Sequence, residues 1–320
     1  MSKKALIIGA AGFMGGYLID QLHDVCNWSV CVTKMKQETL ITEKADVRDL
    51  DILQYEEIVK LLQAEKPDYI FHLAAQSSVA YAWKNPQLTV DININGSINV
   101  LNAIRSLELD CKVLLIGSSE EYGNCLSGTG IIDEAHPLQP NNMYAMTKVA
   151  QELTGRIYAQ AYGMHIVMVR AFNHIGPKQA PLFVVSDFCK QVADIEKGLR
   201  EPVMRVGNLA AKRDFTDVRD IARAYSMIIE DGVPGEIYNI GRSKAIEIRK
   251  ILDMILEQST TNITVEIDPA RLRPIDTPLI EADTQKLRSV IDWEPRYQIE
   301  DTILDTLNYW REYEDVKRDI

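Results

Sequence analysis

Short apolar runs alternate with longer amphipathic stretches along the first half of the chain. The apolar runs predict strands that are covered on both faces: Ala5–Ile8, Ser29–Val32, Tyr69–Leu73, Val113–Ile116 and His165–Val169. The stretches between them predict helices at Asp51–Leu62, Pro86–Leu107 and Asn142–Tyr162. This alternation predicts an α/β fold with a doubly wound parallel (Rossmann) sheet.

The pattern changes near Asn173, where prolines and glycines become frequent. Shorter helices such as Val184–Lys197 alternate with short strands such as Ile263–Ile267. Val218–Ile229 and Ile237–Ile240 again have the pattern of a helix and a strand of the larger sheet. We therefore expect one domain of residues 1–172 plus roughly 215–242, and a smaller α/β portion of roughly 173–214 and 243–320.

Composition and charge narrow the class of function. The 320 residues carry a net charge of −11, which argues against nucleic acid as a partner because phosphate contacts need a basic face. No apolar stretch has membrane-spanning length and no signal-peptide pattern is present, so we expect a cytoplasmic protein without a membrane partner. The five cysteines lack CxxC spacing, so we expect reduced thiols and no metal site: Cys26, Cys31, Cys111, Cys125 and Cys189.

A glycine-rich turn follows the first predicted strand. Gly9, Gly12 and Gly15 stand where a backbone must turn tightly and approach a pyrophosphate, and the N-terminus of the next helix would meet its charge. A plain tight turn is the alternative. The position between a terminal strand and a helix favours a dinucleotide site.

The end of the second predicted strand bears on the choice of dinucleotide. An acidic residue there would bind the ribose hydroxyls of NAD(H), but this chain has Lys34 and Lys36, which could meet the 2′-phosphate of NADP(H). Solvated surface lysines are the alternative. Asp46 could accept a hydrogen bond from the adenine amino group, or it could cap a following helix.

Tyr144 and Lys148 are four residues apart on a predicted helix, so their side chains should share one face. A nearby ammonium would lower the pKa of the phenol and make it a usable proton donor or acceptor. A solvated pair is the commoner origin of this spacing. The carboxyl ends of the parallel strands should share one crevice, at Gly9–Gly15, Leu73–Ala75, Ser118-Ser119 and Ala171–Asn173.

Together these motifs resemble those of the extended short-chain dehydrogenase/reductases that act on nucleotide sugars. The likeness covers nearly the whole chain and rests on Gly9-x-x-Gly12-x-x-Gly15, Asp46-Val-Arg48, His72-Leu-Ala-Ala75, Ser118–Gly123 and Tyr144-x-x-x-Lys148. Phe172–Pro177, Gly207–Asp217 and Arg273–Asp276 resemble the GDP-mannose branch, and the first two of these are most similar to its reductases that form GDP-D-rhamnose.

The resemblance implies catalytic roles for residues at the matching positions. Tyr144 would supply a proton to a ketone oxygen, Ser118 would donate a second hydrogen bond to it, and Lys148 would hold the nicotinamide ribose. A polar strand exit is the alternative for Ser118. Glu120 matches a glutamate that takes part in water elimination in the dehydratases, so it implies either sugar binding or a retained dehydration activity.

The resemblance also implies two sets of binding residues. The cofactor set is Gly9, Gly12, Phe13, Met14, Gly15, Lys34, Asp46, Val47, Leu73, Ala74, Ala75, Tyr144 and Lys148. The substrate set is Ser118, Ser119, Asn173, Val184, Asp187, Arg213, Arg273 and Asp276. Arg213 and Arg273 would hold the diphosphate, although Asp214, Asp217 or Asp220 could instead pair with Arg213. Val184 and Asp187 would face the base, and Asp276 would bind ribose or orient Arg273.

The function implied is NADP(H)-dependent reduction, with NAD(H) as a second option, of the C4 keto group of GDP-4-keto-6-deoxy-D-mannose to GDP-D-rhamnose. A GDP-mannose 4,6-dehydratase is the alternative within the family, and a non-catalytic dinucleotide-sensing protein on the same fold is the second alternative. The apolar faces of Pro86–Leu107 and Asn142–Tyr162 would form a homodimer, unless they are buried inside one subunit.

Overall fold

The computed structural model describes residues 2–123, 130–271 and 278–313. Its strands in chain order are β1 (Lys4–Ile8), β2 (Ser29–Lys34), β3 (Asp46–Asp49), β4 (Tyr69–His72), β5 (Lys112–Ser118), β6 (Ile131–Ile132), β7 (Ile166–Ala171), β8 (Asn173–Ile175), β9 (Val203–Val206), β10 (Lys212–Asp217), β11 (Ile237–Ile240), β12 (Ala245–Glu247), β13 (Thr264–Ile267) and β14 (Leu279–Ala282). Its helices are α1 (Phe13–Asp20), α2 (Tyr55–Glu65), α3 (Val79–Lys84), α4 (Pro86–Val90), α5 (Ser97–Ser106), α6 (Met143–Tyr162), α7 (Val184–Glu196), α8 (Val218–Asp231), α9 (Ile248–Glu257), α10 (Gln285–Arg288) and α11 (Ile299–Glu312).

A seven-stranded parallel sheet forms the centre of the fold. Its strand order is β11-β7-β5-β4-β1-β2-β3, and every neighbouring pair is parallel. Helices cover both faces, because α1 and α8 contribute to one apolar core and α2 and α5 contribute to the other. The predicted doubly wound α/β sheet is therefore confirmed. The chain order reverses between β1 and β4, where such sheets have their ligand crevice.

The strand at the far edge of this sheet was not predicted. Residues Asp46–Asp49 form β3, which pairs with β2 through Cys31 and Asp46. Because α2 begins only at Tyr55, Asp46 does not cap a helix, and that alternative is wrong. The strand has no apolar run, since an edge strand next to solvent can carry charged side chains on its exposed positions.

The predicted helix over Pro86–Leu107 is a continuous helical run with a break in its register. A π-helical segment, Asp91–Gly96, separates α4 from α5. Asn93 within this segment is fully buried, and its amide donates to the hydroxyl of Thr147 at 2.9 Å. The segment therefore ties this run to α6, which contains Tyr144 and Lys148.

The remaining strands form two smaller sheets. A mixed sheet has the order β12-β10-β14-β6, with β8 paired to β10, and β9 pairs with β13. Helices α7, α9 and α11 enclose a separate apolar core beside them. Leu287, Ile291 and Trp293 from the C-terminal part pack instead into a core of the central sheet. The residue boundaries expected for the two domains stay a prediction. Within the described ranges, no helix is long and apolar enough to span a membrane.

Two adjacent glycines of α1 differ in their surroundings. A Cβ atom on Gly15 would overlap the carbonyl group of Ala10 in the turn before the helix. A Cβ atom on Gly16 would meet nothing within 4 Å. Gly15 is therefore required for the close approach of helix and turn, whereas Gly16 is not.

We expect Gly15→Ala to lower the free energy of unfolding by about 1–3 kcal/mol, because the added methyl group must displace backbone. Gly16→Ala is the matched control, and it should be neutral or stabilise by up to about 1 kcal/mol because alanine favours a helix. Denaturant unfolding of both variants measures the difference. Equal effects of the two substitutions would contradict this description of the turn.

Candidate active site

The turn after β1 has the geometry of a dinucleotide cradle. Gly9 has a φ of 87°, and a Cβ atom there would lie 2.5 Å from the Cα atom of Ala74. Gly12 is the N-cap of α1, and a Cβ atom on it would have only one neighbour, the Gly9 carbonyl oxygen at 3.9 Å. No side chain of the described chain caps α1. Its first amide groups can therefore meet a pyrophosphate, and the residues fit a dinucleotide.

Hydrogen bonds from two neighbouring strands hold this turn in place. The Gly9 amide donates to the Thr33 hydroxyl at 3.1 Å, and the Ala10 amide donates to the Thr33 carbonyl at 2.7 Å. The amides of Leu73 and Ala74 both donate to the carbonyl oxygen of Ile8, at 2.9 and 2.8 Å. The segment Leu73–Ala75 therefore lies directly against the turn, as expected.

The residues expected at the adenosine end lie on β2 and β3. The Lys34 ammonium is 2.6 Å from an oxygen of Asp49, so it is part of an ion pair. Asp46 is exposed, and Val47 packs against a core of the central sheet. The preference for NADP(H) drawn from Lys34 stays a prediction.

Tyr144 and Lys148 are both buried, at 9% and 3% exposure, so the alternative of a solvated surface pair is wrong. Helix α6 begins where it does because the Asn142 side chain accepts a hydrogen bond from the Ala145 amide at 2.9 Å. The Lys148 ammonium donates to the Ile116 carbonyl oxygen at 2.7 Å and to Gln151 Oε1 at 3.0 Å. These bonds use two of its three donors and leave one for a ligand hydroxyl.

Burial changes the proton affinities of both groups. It lowers the pKa of Lys148 to about 8, a shift that a negative charge on Glu121 would oppose. It raises the pKa of Tyr144, and the nearby Ser118 side chain only partly offsets this rise. The expected lowering of the Tyr144 pKa by Lys148 is therefore wrong for the protein alone, because desolvation of the phenolate outweighs its stabilisation. Tyr144 is a phenol at neutral pH.

Ser118 and Glu120 lie at the same strand end. The Ser118 hydroxyl accepts a hydrogen bond from the Glu120 amide at 3.2 Å and lies near enough to the Tyr144 phenol to lower its pKa. The half-buried Glu120 carboxylate accepts a hydrogen bond from the Asn142 side chain at 3.1 Å and raises the Tyr144 pKa by its charge. The structure thus brings together the four residues expected to be catalytic.

The expected substrate residues occupy several elements. Ser119 begins the 3₁₀ turn after β5, Asn173 begins β8, and Val184 begins α7. The Asp187 carboxylate accepts hydrogen bonds from Arg271 and Gln191, both at 2.7 Å. It is therefore engaged within the protein, which was not expected.

Arg213 is on β10, where Nη1 donates to the Lys212 carbonyl oxygen at 2.8 Å. The three aspartates considered above as possible partners of Arg213 bind other groups. Asp214 accepts from the Arg242 and Ser243 amides, Asp217 pairs with Arg219, and Asp220 pairs with Arg223. Arg273 and Asp276 lie outside the described residues.

Sequence reasoning missed a buried charged cluster behind Ser118, formed by Glu121, Glu152 and Arg170. The available signal was the Ser118-x-x-Glu121 spacing of a capping box, which turns the Glu121 side chain back toward the Ser118 amide. Gln151 was missed as well. It follows Lys148 by three residues on α6 and therefore faces the same way.

Comparison with known proteins agrees with this geometry. Residues 6–306 match the family described as GDP-mannose 4,6 dehydratase. The chain is 27% identical over 311 residues to the GDP-6-deoxy-D-mannose reductase of Pseudomonas aeruginosa, covering 97% of this chain and 98% of that protein. It is 26% identical to the GDP-mannose 4,6-dehydratase of Vibrio cholerae, covering 94% and 92%.

Solved structures share the fold over the full length. The structure of RMD from Pseudomonas aeruginosa complexed with NADPH superposes with a TM-score of 0.87 at 26% identity, covering 97% of this chain and 98% of that one. The Thermus thermophilus UDP-glucose 4-epimerase complex with NAD gives 0.86 at 25% identity, covering 97% and 100%. The family match runs from the first strand of the sheet into the last helix, so the chain belongs to the GDP-mannose 4,6 dehydratase family, as the resemblance of its motifs predicted.

Proposed function

We propose that this protein reduces the C4 keto group of GDP-4-keto-6-deoxy-D-mannose to GDP-D-rhamnose with NADPH, and that NADH is an alternative reductant. The observation that carries the proposal is a buried, protonated Tyr144 that lies near Ser118 and Glu120 at the end of β5, one helical turn from the buried Lys148. The relatives named as reductases and dehydratases support the substrate class. The cytoplasmic location stays a prediction from the sequence.

The reaction divides between the cofactor and the protein side chains. When bound, the nicotinamide supplies the hydride that C4 of the sugar accepts. Negative charge then develops on the ketone oxygen, and Tyr144 donates its proton there while Ser118 donates a second hydrogen bond. Lys148 is charged below about pH 8. Its ammonium therefore stabilises the phenolate that Tyr144 becomes after it gives up its proton, and it can also hold the nicotinamide ribose.

Reduction needs an acid at the ketone oxygen, and Tyr144 has the protonation state for this role. A dehydratase of this family begins by oxidising the C4 hydroxyl, which requires a base, whereas a reductase requires an acid. Burial holds Tyr144 in the acid form. The dehydratase is the second candidate, because the Glu120 carboxylate lies at the same strand end as Tyr144 and Ser118, where water elimination would need a further group that moves a proton.

Product analysis by NMR distinguishes the two candidates. We expect GDP-4-keto-6-deoxymannose to be converted to GDP-D-rhamnose with consumption of one reduced nicotinamide per sugar. NADPH and NADH, supplied in turn, give the cofactor preference. The control is GDP-mannose without added reductant, and loss of its 6-hydroxyl group would reject the reductase in favour of the dehydratase.

Tyr144→Phe removes the proton donor while keeping the ring. We expect kcat for the keto sugar to fall by roughly 10²–10⁴-fold, the usual contribution of a positioned general acid. Tyr162→Phe is the control, because Tyr162 is on the same helix but 51% exposed. Unchanged turnover in Tyr144→Phe, with normal thermal unfolding, would reject the assigned role and revive the non-catalytic sensor.

We also propose a homodimer, supported by the outer face of α6. This helix buries one face inside the subunit, but Leu153 and Ile157 on another face are 46% and 58% exposed. Trp83 of the neighbouring α3 is 62% exposed. Exposed apolar groups of this size on adjacent helices are typical of an interface.

Light scattering should give twice the mass of the chain. The double substitution Leu153→Arg and Ile157→Arg should give a monomer, because two cations cannot be buried without partners. Val25→Arg is the matched control, since Val25 is equally exposed at 64% but lies in the segment after α1. A monomeric wild-type protein at assay concentration would reject the dimer.

A further inference from the structure

Three charged side chains form a buried cluster directly behind Ser118. Glu121, Glu152 and Arg170 come from the turn after β5, from α6 and from β7, and none exceeds 4% exposure. Arg170 binds Glu152 through two parallel hydrogen bonds, both at 2.8 Å. A third donor of Arg170, Nη1, bonds to the Tyr122 hydroxyl at 2.8 Å. The guanidinium charge is therefore matched by one carboxylate, that of Glu152.

Glu121 is the second carboxyl group of this cluster. Its Oε1 accepts a hydrogen bond from the Ser118 amide at 2.7 Å. A Cβ atom on Gly117 would overlap Oε1, so the glycine before Ser118 makes room for the carboxyl group. Its other oxygen, Oε2, is buried and has no hydrogen-bond partner in the part of the chain that the structure describes. The Nε atom of Arg170 lies 3.8 Å from this oxygen.

The charges of the cluster indicate that Glu121 carries a proton. An ionised Glu121 would place a second negative charge beside Glu152, and such a charge is costly because Arg170 is already paired. Among the described residues, the only other guanidinium at Glu152 is that of Arg156 at 3.5 Å, and its side chain is 42% exposed. A proton on Oε2 removes that charge and supplies a donor to Glu152. Burial and the Glu152 carboxylate both raise the pKa of Glu121 well above 4.5. The charged and titratable groups that face it are Glu152, Lys148 and Tyr144 from α6 and Arg170 from β7.

We propose that Glu121 is a positioning residue that holds a proton at neutral pH, and that this acid ties the Ser118 backbone to Glu152 and Arg170 so that the Ser118 hydroxyl faces Tyr144. Its catalytic consequence rests on the proposed reductase function, whereas its protonation does not. The neutral acid also keeps a negative charge away from the phenolate that Tyr144 forms when it gives up its proton.

Infrared difference spectroscopy tests the proton without any assay of activity. The wild-type protein at neutral pH should show the carbonyl stretch of a protonated carboxylic acid that shifts in D₂O and is missing from Glu121→Gln. Glu120→Gln is the matched control, and it should retain this band. A band that survives in Glu121→Gln would overturn the proposal.

The pH dependence of stability gives a second test. A carboxyl group with a raised pKa in the folded state binds its proton more tightly there than in the unfolded chain. Its contribution to stability is complete below the unfolded value near 4.5 and is lost as the pH rises through the folded value. The temperature midpoint of unfolding of Glu121→Gln minus that of the wild type should therefore increase as the pH rises. A difference that does not change with pH would contradict a protonated Glu121.

Kinetics test the positioning of Ser118. Glu121→Gln keeps an oxygen for the Ser118 amide and a donor for Glu152, so it should retain kcat. Glu121→Leu has neither, and we expect kcat to fall roughly 10- to 100-fold through misplacement of Ser118, with a smaller change in KM. Equal losses in both variants, or none in Glu121→Leu, would overturn the positioning role. If wild type does not reduce the keto sugar, the function fails, but the infrared and stability results still decide the protonation.

Discussion

The hydrogen bond from the Lys148 ammonium to the Ile116 carbonyl oxygen determines how α6 lies against the central sheet. A buried cation needs such partners, and the backbone of β5 provides one while Gln151 provides another. Once Lys148 is fixed there, Tyr144 one helical turn earlier must lie over the end of the same strand, where Ser118 stands. The arrangement of the site therefore depends on the place where acceptors of the protein can bind the Lys148 ammonium.

Local patterns predicted the parts of the structure that depend on local chemistry. The turn at Gly9, the start of α6 at Asn142 and the shared edge of the strands follow from backbone constraints and from the parallel sheet. Strand β3 escaped prediction because Asp46–Asp49 has no apolar run. The pKa direction of Tyr144, the pairing of Asp187 with Arg271, and the meeting of Glu121, Glu152 and Arg170 depend on burial and on contacts distant in sequence.

The adjacent residues Glu120 and Glu121 have carboxyl groups in different surroundings. Glu120 is partly exposed and accepts a hydrogen bond from the side-chain amide of Asn142, whereas Glu121 is buried beside Arg170 and Glu152. Neighbouring residues on a tight turn point in different directions, so one can face a ligand while the other faces the interior. Two adjacent glutamates thus have different surroundings, although the sequence has the same residue type at both positions.

The aromatic ring of Phe13 joins the two parts of the crevice. It stacks on His174 with parallel planes and centroids 5.8 Å apart, and the neighbouring Tyr17 hydroxyl donates to the Pro177 carbonyl oxygen at 2.8 Å. Helix α1, which follows the glycine turn, is therefore held against the segment that begins at Asn173. A displacement of α1 would therefore be passed on to this segment through one stacked ring and one hydrogen bond.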